Sequence, residues 1–294
     1  MSRAGGLVVV ATPIGNLDDL APRAAAALRD ADVVACEDTR RSAVLLRHAG
    51  AETPMVPLHA HNEASKEAGL LARMRAGETI ALVSDAGMPL VSDPGARLVR
   101  AAVEEGIPVT VVPGPSAVTA ALALSGLAGG GGFHFAGFAP RSAGERRAFA
   151  ERLEHLDVPA VVFESPNRLP GLLRELAARW PDRPAAVLRE LTKLHEEALR
   201  GTLAELAGRL DAPPKGEVVL VLGAAPAPAP GDEDAGRLRE ALGHMLDAGL
   251  GAGRAADLAA ALGLARLAAT PGLPPPRAAY VAERLRSASS TAAR

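Results

Sequence analysis

Thr79-Ile80-Ala81-Leu82-Val83-Ser84-Asp85-Ala86-Gly87-Met88-Pro89-Leu90-Val91-Ser92-Asp93-Pro94-Gly95 is the stretch that decides the fold. It opens with a continuous apolar run, as expected of a strand buried on both faces of a parallel sheet rather than one with a solvated face. The loop that follows is much longer than the roughly four residues of a plain turn. Two small-residue turns, each containing Asp and Gly, flank a proline. Such a loop exposes backbone beside carboxylates, which suits a ligand that carries a positive charge and needs hydrogen-bond acceptors.

The same strand-then-loop unit recurs on both sides. Leu7–Ala11, Val33–Ala35, Met55–Leu58 and Val109–Val112 are short apolar runs that read as strands. Between them, helices are predicted from a cap at Asp18 or Asp19 to about Ala31, over Glu63–Ala76 with a stop at Gly77, and over Arg97–Glu105 with a stop at Gly106. Strands alternating with helices predict a parallel sheet covered on both faces. A further helix begins near Ala117, and Gly129–Gly132 is a flexible join. A second series follows, with strands at Phe133–Gly137, Ala160–Glu164, Ala185–Arg189 and Val218–Leu222 and helices at Ala143–Leu156 and Leu169–Ala178. The expected organisation is an N-terminal α/β domain at 1–116 and a second α/β domain at 117–223. A Pro/Ala-rich linker at 224–234 leads to a helical extension at 235–294, interrupted between Pro271 and Pro276 and disordered at its end.

Composition narrows the chemistry. Hydrophobic residues make up 48% of the 294, but aromatics only 2%, so the core is aliphatic and an aromatic stacking platform for single-stranded RNA is not expected. A formal net charge of -2 gives no overall field to draw in nucleic acid, so any RNA contact must use a local patch. The single cysteine, Cys36, excludes an internal disulfide and a multi-cysteine zinc site, and fits a small core residue. No stretch has the length of a transmembrane helix, and the run Leu7–Ala11 is too short for a signal sequence, so a cytoplasmic protein is expected. There is no G-x-x-x-x-G-K-S/T phosphate loop and no G-x-S-x-G elbow. Gly129–Gly132 precedes a strand rather than a helix, unlike a dinucleotide fingerprint. His59 and His61 lack a cysteine or acid at a metal-site spacing, and no metal is expected.

In an open α/β sheet, ligands gather at the carboxyl ends of the strands. The loops there are Thr12-Pro13-Ile14-Gly15-Asn16-Leu17, then Cys36-Glu37-Asp38-Thr39-Arg40-Arg41, the Asp85 loop quoted first, and Pro113-Gly114-Pro115-Ser116-Ala117. The second reads either as a helix start capped by Asp38 or Thr39 or as a polar cluster facing a cleft. In the fourth, Ser116 can cap a helix whose first N–H groups are open to a carboxylate or a ribose. In the second series, Glu164-Ser165-Pro166-Asn167-Arg168, Arg189-Glu190-Leu191-Thr192-Lys193-Leu194-His195-Glu196-Glu197 and Lys215-Gly216-Glu217 mix acids and bases, a pattern common on plain surfaces.

Read together, the segments Thr12–Leu17, Glu37–Arg40, Ser84–Gly87, Ser92–Gly95, Pro113–Ala117, Gly137-Phe138, Glu164–Pro166 and Arg189–Lys193 resemble the ribosomal RNA small-subunit methyltransferase I group of the tetrapyrrole methylase fold. Any one is modest, but eight in order are specific, and they cover roughly residues 7 to 223. The resemblance implies a two-domain class III methyltransferase with S-adenosylmethionine in the cleft between its domains. It implies a homodimer that transfers a methyl group to a cytidine 2′-hydroxyl in the decoding region of 16S ribosomal RNA, with naked RNA or the assembled small subunit as partner. Related tetrapyrrole methylases carry a glycine-rich loop at Thr12–Leu17 and a Gly-Asp-Pro turn at Ser84–Ala86, so these departures favour RNA over a precorrin. A methyltransferase acting on a small tetrapyrrole and a non-catalytic module that kept the cofactor cleft are the alternatives.

With that resemblance in hand, Pro13, Asp85, Met88, Ser116, Ala117 and Phe163 are the expected cofactor contacts. Glu37, Arg40, Glu190 and Lys193 are the expected catalytic residues, with Asp38 as a further candidate base. Arg41, Arg141, Arg146 and Arg147, supported by Arg47 and Arg152, are the expected RNA contacts.

Overall fold

A computed structural model describes residues 5–59, 62–226, 242–247, 249–251 and 254. Met1–Ala225 forms one compact unit, and a second begins at Pro226. In the second unit, residues 242–247 are helical. Most of the expected linker and extension lies outside the described residues, as does His61.

The first sheet contains β1 (Gly6–Val10), β2 (Val33–Cys36), β3 (Met55–Pro57), β4 (Thr79–Leu82) and β5 (Val109–Val112) in the order β3-β2-β4-β1-β5. All its pairings are parallel, as the unbroken apolar runs predicted. Helices α1 (Pro22–Asp30) and α2 (Thr39–Ala49) cover one face, where Leu28, Leu45 and Leu46 meet Val10, Val34 and Ala81. Helices α3 (Glu63–Arg75) and α4 (Ala96–Glu104) cover the other, where Leu70, Met74 and Leu98 meet Leu7, Ile80 and Leu82. α1 starts later than the sequence suggested. Asn16 caps a 3₁₀ turn at Leu17–Asp19, and α1 begins at Pro22 without a side-chain cap. Proline at that first position is pre-set for the helix and loses no hydrogen bond there.

The second sheet is mixed. It contains β6 (His134–Phe138), β7 (Ala160–Glu164), β8 (Pro184–Arg189), β9 (Glu197–Thr202) and β10 (Val218–Leu222) in the order β6-β7-β10-β8-β9. Only β6 and β7 pair in parallel; the rest are antiparallel. Its strands divide their side chains with period two. Val218, Leu220 and Leu222 of β10 face α6 (Ala143–Glu154), α7 (Leu169–Arg179) and α8 (Leu203–Arg209). Val219 and Val221 face α5 (Ala117–Ser125). In α7, Leu169, Leu172, Leu173 and Leu176 fall at i, i+3, i+4 and i+7 and are all buried. β9 and α8 are additions to what the sequence suggested. The β9 stretch Glu-Ala-Leu-Arg-Gly-Thr is an edge strand without a buried residue, and α8 is held by a capping box between Thr202 and Glu205.

Candidate functional site

The loops at the carboxyl ends of β1 and β4 are stitched together. Thr12 and Gly87 exchange backbone hydrogen bonds of 2.8 and 3.1 Å. The buried Thr12 hydroxyl adds a bond to the Ser84 carbonyl at 3.3 Å. Gly87 has φ +83°, and a Cβ there would lie 3.2 Å from Ile14 Cγ2. Ile14 itself leaves the first sheet's loop and enters the apolar layer of Val118, Leu188, Leu191 and Val219. In the same region Gly15 lies so close to the loop after β8 that a Cβ would be 2.6 Å from Lys193 Cγ and 2.9 Å from the Leu191 carbonyl oxygen. Glycine at position 15 thus lets the two loops touch.

Where these loops meet lies a cavity of about 410 Å³. That is within the usual size range of small-molecule sites. Ile14, Met88, Val91, Val118, Phe163 and Val219 supply apolar wall, and Asp85, Asp93, Glu164 and Glu217 supply carboxylates. Ser116 and Ala117, at the start of α5, border it. Ser116 occupies the capping position of α5 but forms no capping hydrogen bond, contrary to the expected cap, so the first-turn N–H groups are left without a side-chain acceptor. The chain has five phenylalanines; three of them, Phe135, Phe138 and Phe163, meet edge to face at 4.9 and 5.4 Å. Two of these, Phe138 and Phe163, line the cavity, so the sparse aromatics are concentrated here.

Of the expected cofactor contacts, Asp85, Met88, Ser116, Ala117 and Phe163 line this cavity; Pro13 is buried beside Ile14 without lining it. Asp85 joins two strand ends, because its Oδ1 accepts from the Asp38 backbone N–H at 3.0 Å and its Oδ2 lies 3.5 Å from Arg41 Nε. Arg41, expected among the RNA contacts, therefore stands on the cavity wall.

The expected catalytic residues divide. Arg40 turns away to Asp38, with Nη2 2.8 Å from Oδ2 and its side chain 89% exposed. That pairing, together with the Arg40 backbone N–H, holds the Asp38 carboxyl at about 2, so Asp38 is an α2 cap and a poor proton acceptor. Glu190 and Lys193 form a cluster with Glu217, with Lys193 Nζ 2.9 Å from Glu190 Oε1 and 2.8 Å from Glu217 Oε2. The Lys193 bond and the Glu217 backbone N–H depress the Glu190 carboxyl. Burial pulls the Lys193 ammonium down, but its bonds to Glu217 and Glu190 outweigh this and raise it. Lys193 is thus a fixed cation; neither it nor Glu190 lines the cavity, but its partner Glu217 does. Burial, then the nearby Asp85 charge, raises Glu37, which stands outside the cavity lining.

Asp93, Glu164 and Glu217 were not singled out from sequence. The Asp93 carboxyl is pushed up to about 6, first by burial and then by Glu37 and Asp85, against a hydrogen bond from Ser84. Its folded pKa lies above its unfolded one, so the native state binds more protons than the unfolded chain between about pH 4 and 6. Its contribution to stability is present at the acid end of that window and lost as pH rises through about 6. Asp93→Asn is therefore expected to raise the melting temperature at pH 8 and leave it little changed at pH 4. Thermal melts at the two pH values check this; an equal shift at both would contradict it.

Among the described residues, the non-glycine positions with left-handed φ are Leu90 (+74°), Ser92 (+68°), Glu190 (+51°) and Thr192 (+66°). All four lie in loops that border the cavity or carry Lys193, and such conformations persist where surrounding structure imposes them. Among the described residues no group of three His, Cys, Asp or Glu could hold a metal ion. Cys36 is buried, and burial raises its thiol. No helix among the described residues is long and apolar enough to cross a membrane.

On the basic stretch around α6, Arg141 and Arg147 are exposed and form no ion pair with the described residues. Arg146 instead binds Glu175 of α7 through Nε at 2.8 Å and the Arg141 carbonyl through Nη1 at 2.6 Å. The expected RNA contacts thus do not form one row, because Arg141 precedes α6 and Arg146 is pinned to its neighbour.

Comparison with known proteins places this architecture. The family model for Tetrapyrrole (Corrin/Porphyrin) Methylases matches residues 6–207. Ribosomal RNA small subunit methyltransferase I of Xylella fastidiosa is 46% identical, over 82% of this chain and 87% of its own length. The protein of that name from Thermotoga maritima is 42% identical, over 74% of this chain and 98% of its own length. Among solved structures, uroporphyrin-III C-methyl transferase from Thermus thermophilus, complexed with S-adenyl homocysteine, aligns with TM-score 0.53 and 25% identity, over 74% of this chain and 97% of that one. The chain belongs to the tetrapyrrole methylase family and, within it, to the ribosomal RNA small subunit methyltransferase I group.

Proposed function

We propose that this chain is an S-adenosylmethionine-dependent methyltransferase that acts on the 2′-hydroxyl of a cytidine in the decoding region of 16S ribosomal RNA. It works in the cytoplasm as a homodimer, with residues 1–116 and 117–223 as its two α/β domains. One observation carries the proposal: strand-end loops from both sheets meet at one cavity that combines apolar wall, carboxylates and an uncapped helix start.

Those residues fit the methyl donor. A sulfonium is a cation, and the Asp85 carboxylate on the wall suits it. The donor also carries an amino-acid carboxylate, for which the free N–H groups at Ser116 and Ala117 are the acceptor-seeking end of a helix. Phe163 offers a flat aromatic face, and Met88 an adaptable apolar contact, to an aromatic base. When bound, the cofactor supplies an activated methyl carbon on a good leaving group. The chain's own task is then alignment: Asp85, Ser116, Ala117, Met88, Phe163 and the Pro13 loop hold the donor, while Arg41 and Lys193 anchor the RNA backbone at the rim. Positioning two reactants in this way can supply roughly 7–11 kcal/mol of the barrier.

Mass spectrometry of 16S ribosomal RNA from cells lacking the protein tests the assignment. One cytidine 2′-O-methyl group should disappear and return on complementation, and purified small subunits, not uroporphyrinogen, should accept labelled methyl from the enzyme. An unchanged RNA methylation pattern would contradict it. Arg147→Ala and Arg141→Ala should each reduce the slope of log affinity for RNA against log salt by about 1. Arg146→Ala should instead lower thermal stability, since it loses bonds to α7. Filter binding across a salt series, with melts of all three variants, checks this; equal slopes in wild type and Arg147→Ala would count against the RNA surface.

A further inference from the structure

We infer that Asp93 is the catalytic base that takes the proton from the ribose hydroxyl to be methylated, an assignment that rests on the function proposed above. Four carboxylates line the cavity, and three are already committed. Glu164 is buried, with Oε1 2.5 Å from Arg168 Nη2 and 2.6 Å from the Ser165 backbone nitrogen. Glu217 holds Lys193 Nζ at 2.8 Å. Asp85 accepts from the Asp38 N–H and faces Arg41. Asp93 has a hydrogen bond from the Ser84 hydroxyl and no ion pair with the described residues. Among the wall carboxylates it alone has neither a paired cation nor a backbone N–H donor among the described residues.

The backbone sets Asp93 in place at a conformational cost. Leu90 and Ser92, just before it, are both left-handed, and Gly95, two residues after it, has φ +116°, where a Cβ would lie 2.7 Å from Leu82 Cδ2 and 3.1 Å from Leu90 Cδ2. Nothing in a plain β-to-α connection requires two such non-glycine residues in a row of three. The two charged groups that act on Asp93 work in the same direction, against the Ser84 hydrogen bond. Glu37, from the loop after β2, and Asp85, from its own loop, both resist its ionisation. Arg41 and His59 act on Glu37 in the opposite sense. Glu164 and Glu217 also line the cavity, each beside its own cation. A carboxyl near 6 is ionised at neutral pH yet is a stronger base than an ordinary aspartate, as proton abstraction requires.

The chemistry balances. The hydroxyl O–H bond breaks and its proton goes to an Asp93 carboxylate oxygen; the oxygen's electron pair bonds the methyl carbon of the sulfonium donor. The carbon–sulfur pair stays on sulfur as a neutral thioether, and Asp93 later returns the proton to solvent. A negative carboxylate and a positive sulfonium thus become two neutral groups.

The competing role for Asp93 is a counter-charge for the donor, and the two roles separate experimentally. Asp93→Asn in the full chain is expected to slow single-turnover methylation of purified small subunits by roughly 10²–10⁴-fold, while calorimetry finds S-adenosylmethionine affinity within about threefold of wild type. The wild-type rate should fall in acid with a midpoint near 6, a limb that Asp93→Asn lacks. Asp93→Glu should recover part of the rate. Independently of turnover, carbon NMR of aspartate-labelled protein should show a carboxyl that titrates above pH 5 and vanishes in Asp93→Asn. The assignment falls if Asp93→Asn keeps its rate, if rate and cofactor affinity fall together, or if no such carboxyl titrates. Wild-type protein that transfers no methyl group to small subunits overturns the proposed function and takes this assignment with it, whereas an active Asp93→Asn overturns the assignment alone.

Discussion

Asp85→Ala should weaken S-adenosylmethionine binding by about 10–100-fold, the loss expected for one charge-assisted hydrogen bond of roughly 1.5–3 kcal/mol. The substitution acts twice. It removes a carboxylate from the cavity wall, and it leaves the Asp38 N–H without its acceptor at the point where the β2 and β4 loops join. Arg41 loses its facing charge as well. Asp85→Asn separates the two effects, because its amide oxygen can still accept from Asp38 while the charge is gone. Calorimetry should find Asp85→Asn intermediate between wild type and Asp85→Ala. Equal affinity in all three proteins would remove Asp85 from the cofactor site.

Leu220→Ala should have the largest effect on stability. Leu220 is fully buried on the central strand of the second sheet, between β7 and β8, and packs on the layer that holds Leu173, Leu176 and Leu203. Truncation of such a residue costs about 2–5 kcal/mol through lost burial and the cavity left behind. For a unit of this size that corresponds to a fall of roughly 5–15 °C in melting temperature. Val219, the next residue, points at the opposite layer and touches the cavity, so Val219→Ala should disturb cofactor binding at a smaller cost in stability. Scanning calorimetry that found Leu220→Ala unchanged would contradict the period-two division of β10.

Much of the first sheet is legible in the sequence because its strands are buried on both sides. Runs such as Ile80–Val83 and Val33–Cys36 have no polar interruption, and the loops between helix stop and next strand are short. The order and direction of strands in the second sheet are not legible in this way. β10 pairs antiparallel with both β7 and β8 across long stretches of chain, and no local residue pattern encodes a partner so distant. β9 escapes for a different reason: an edge strand with no buried residue has no hydrophobic alternation to read.

The site shows the same split. Asp85, Met88 and Ser116 could be picked out because a long loop after a buried strand is itself a signal. Asp93 lies in that same loop, but its distinguishing property is burial beside other acids, which only the folded chain creates. Lys215-Gly216-Glu217 looked like surface decoration. In the fold, Gly216 has φ +90° and lies against the Glu190 carboxyl, and Glu217 faces both Lys193 and the cavity. Arg40 shows the converse, since an arginine one turn from a strand end can serve its own helix cap instead of the cleft.

A crystal structure of the chain with S-adenosylhomocysteine bound would show whether the strand-end loops form the cofactor site. The ligand should lie in the cavity bordered by Asp85, Ser116 and Phe163, with its carboxylate at the start of α5. A ligand bound elsewhere on the chain, or that cavity closed by its own side chains, would contradict it.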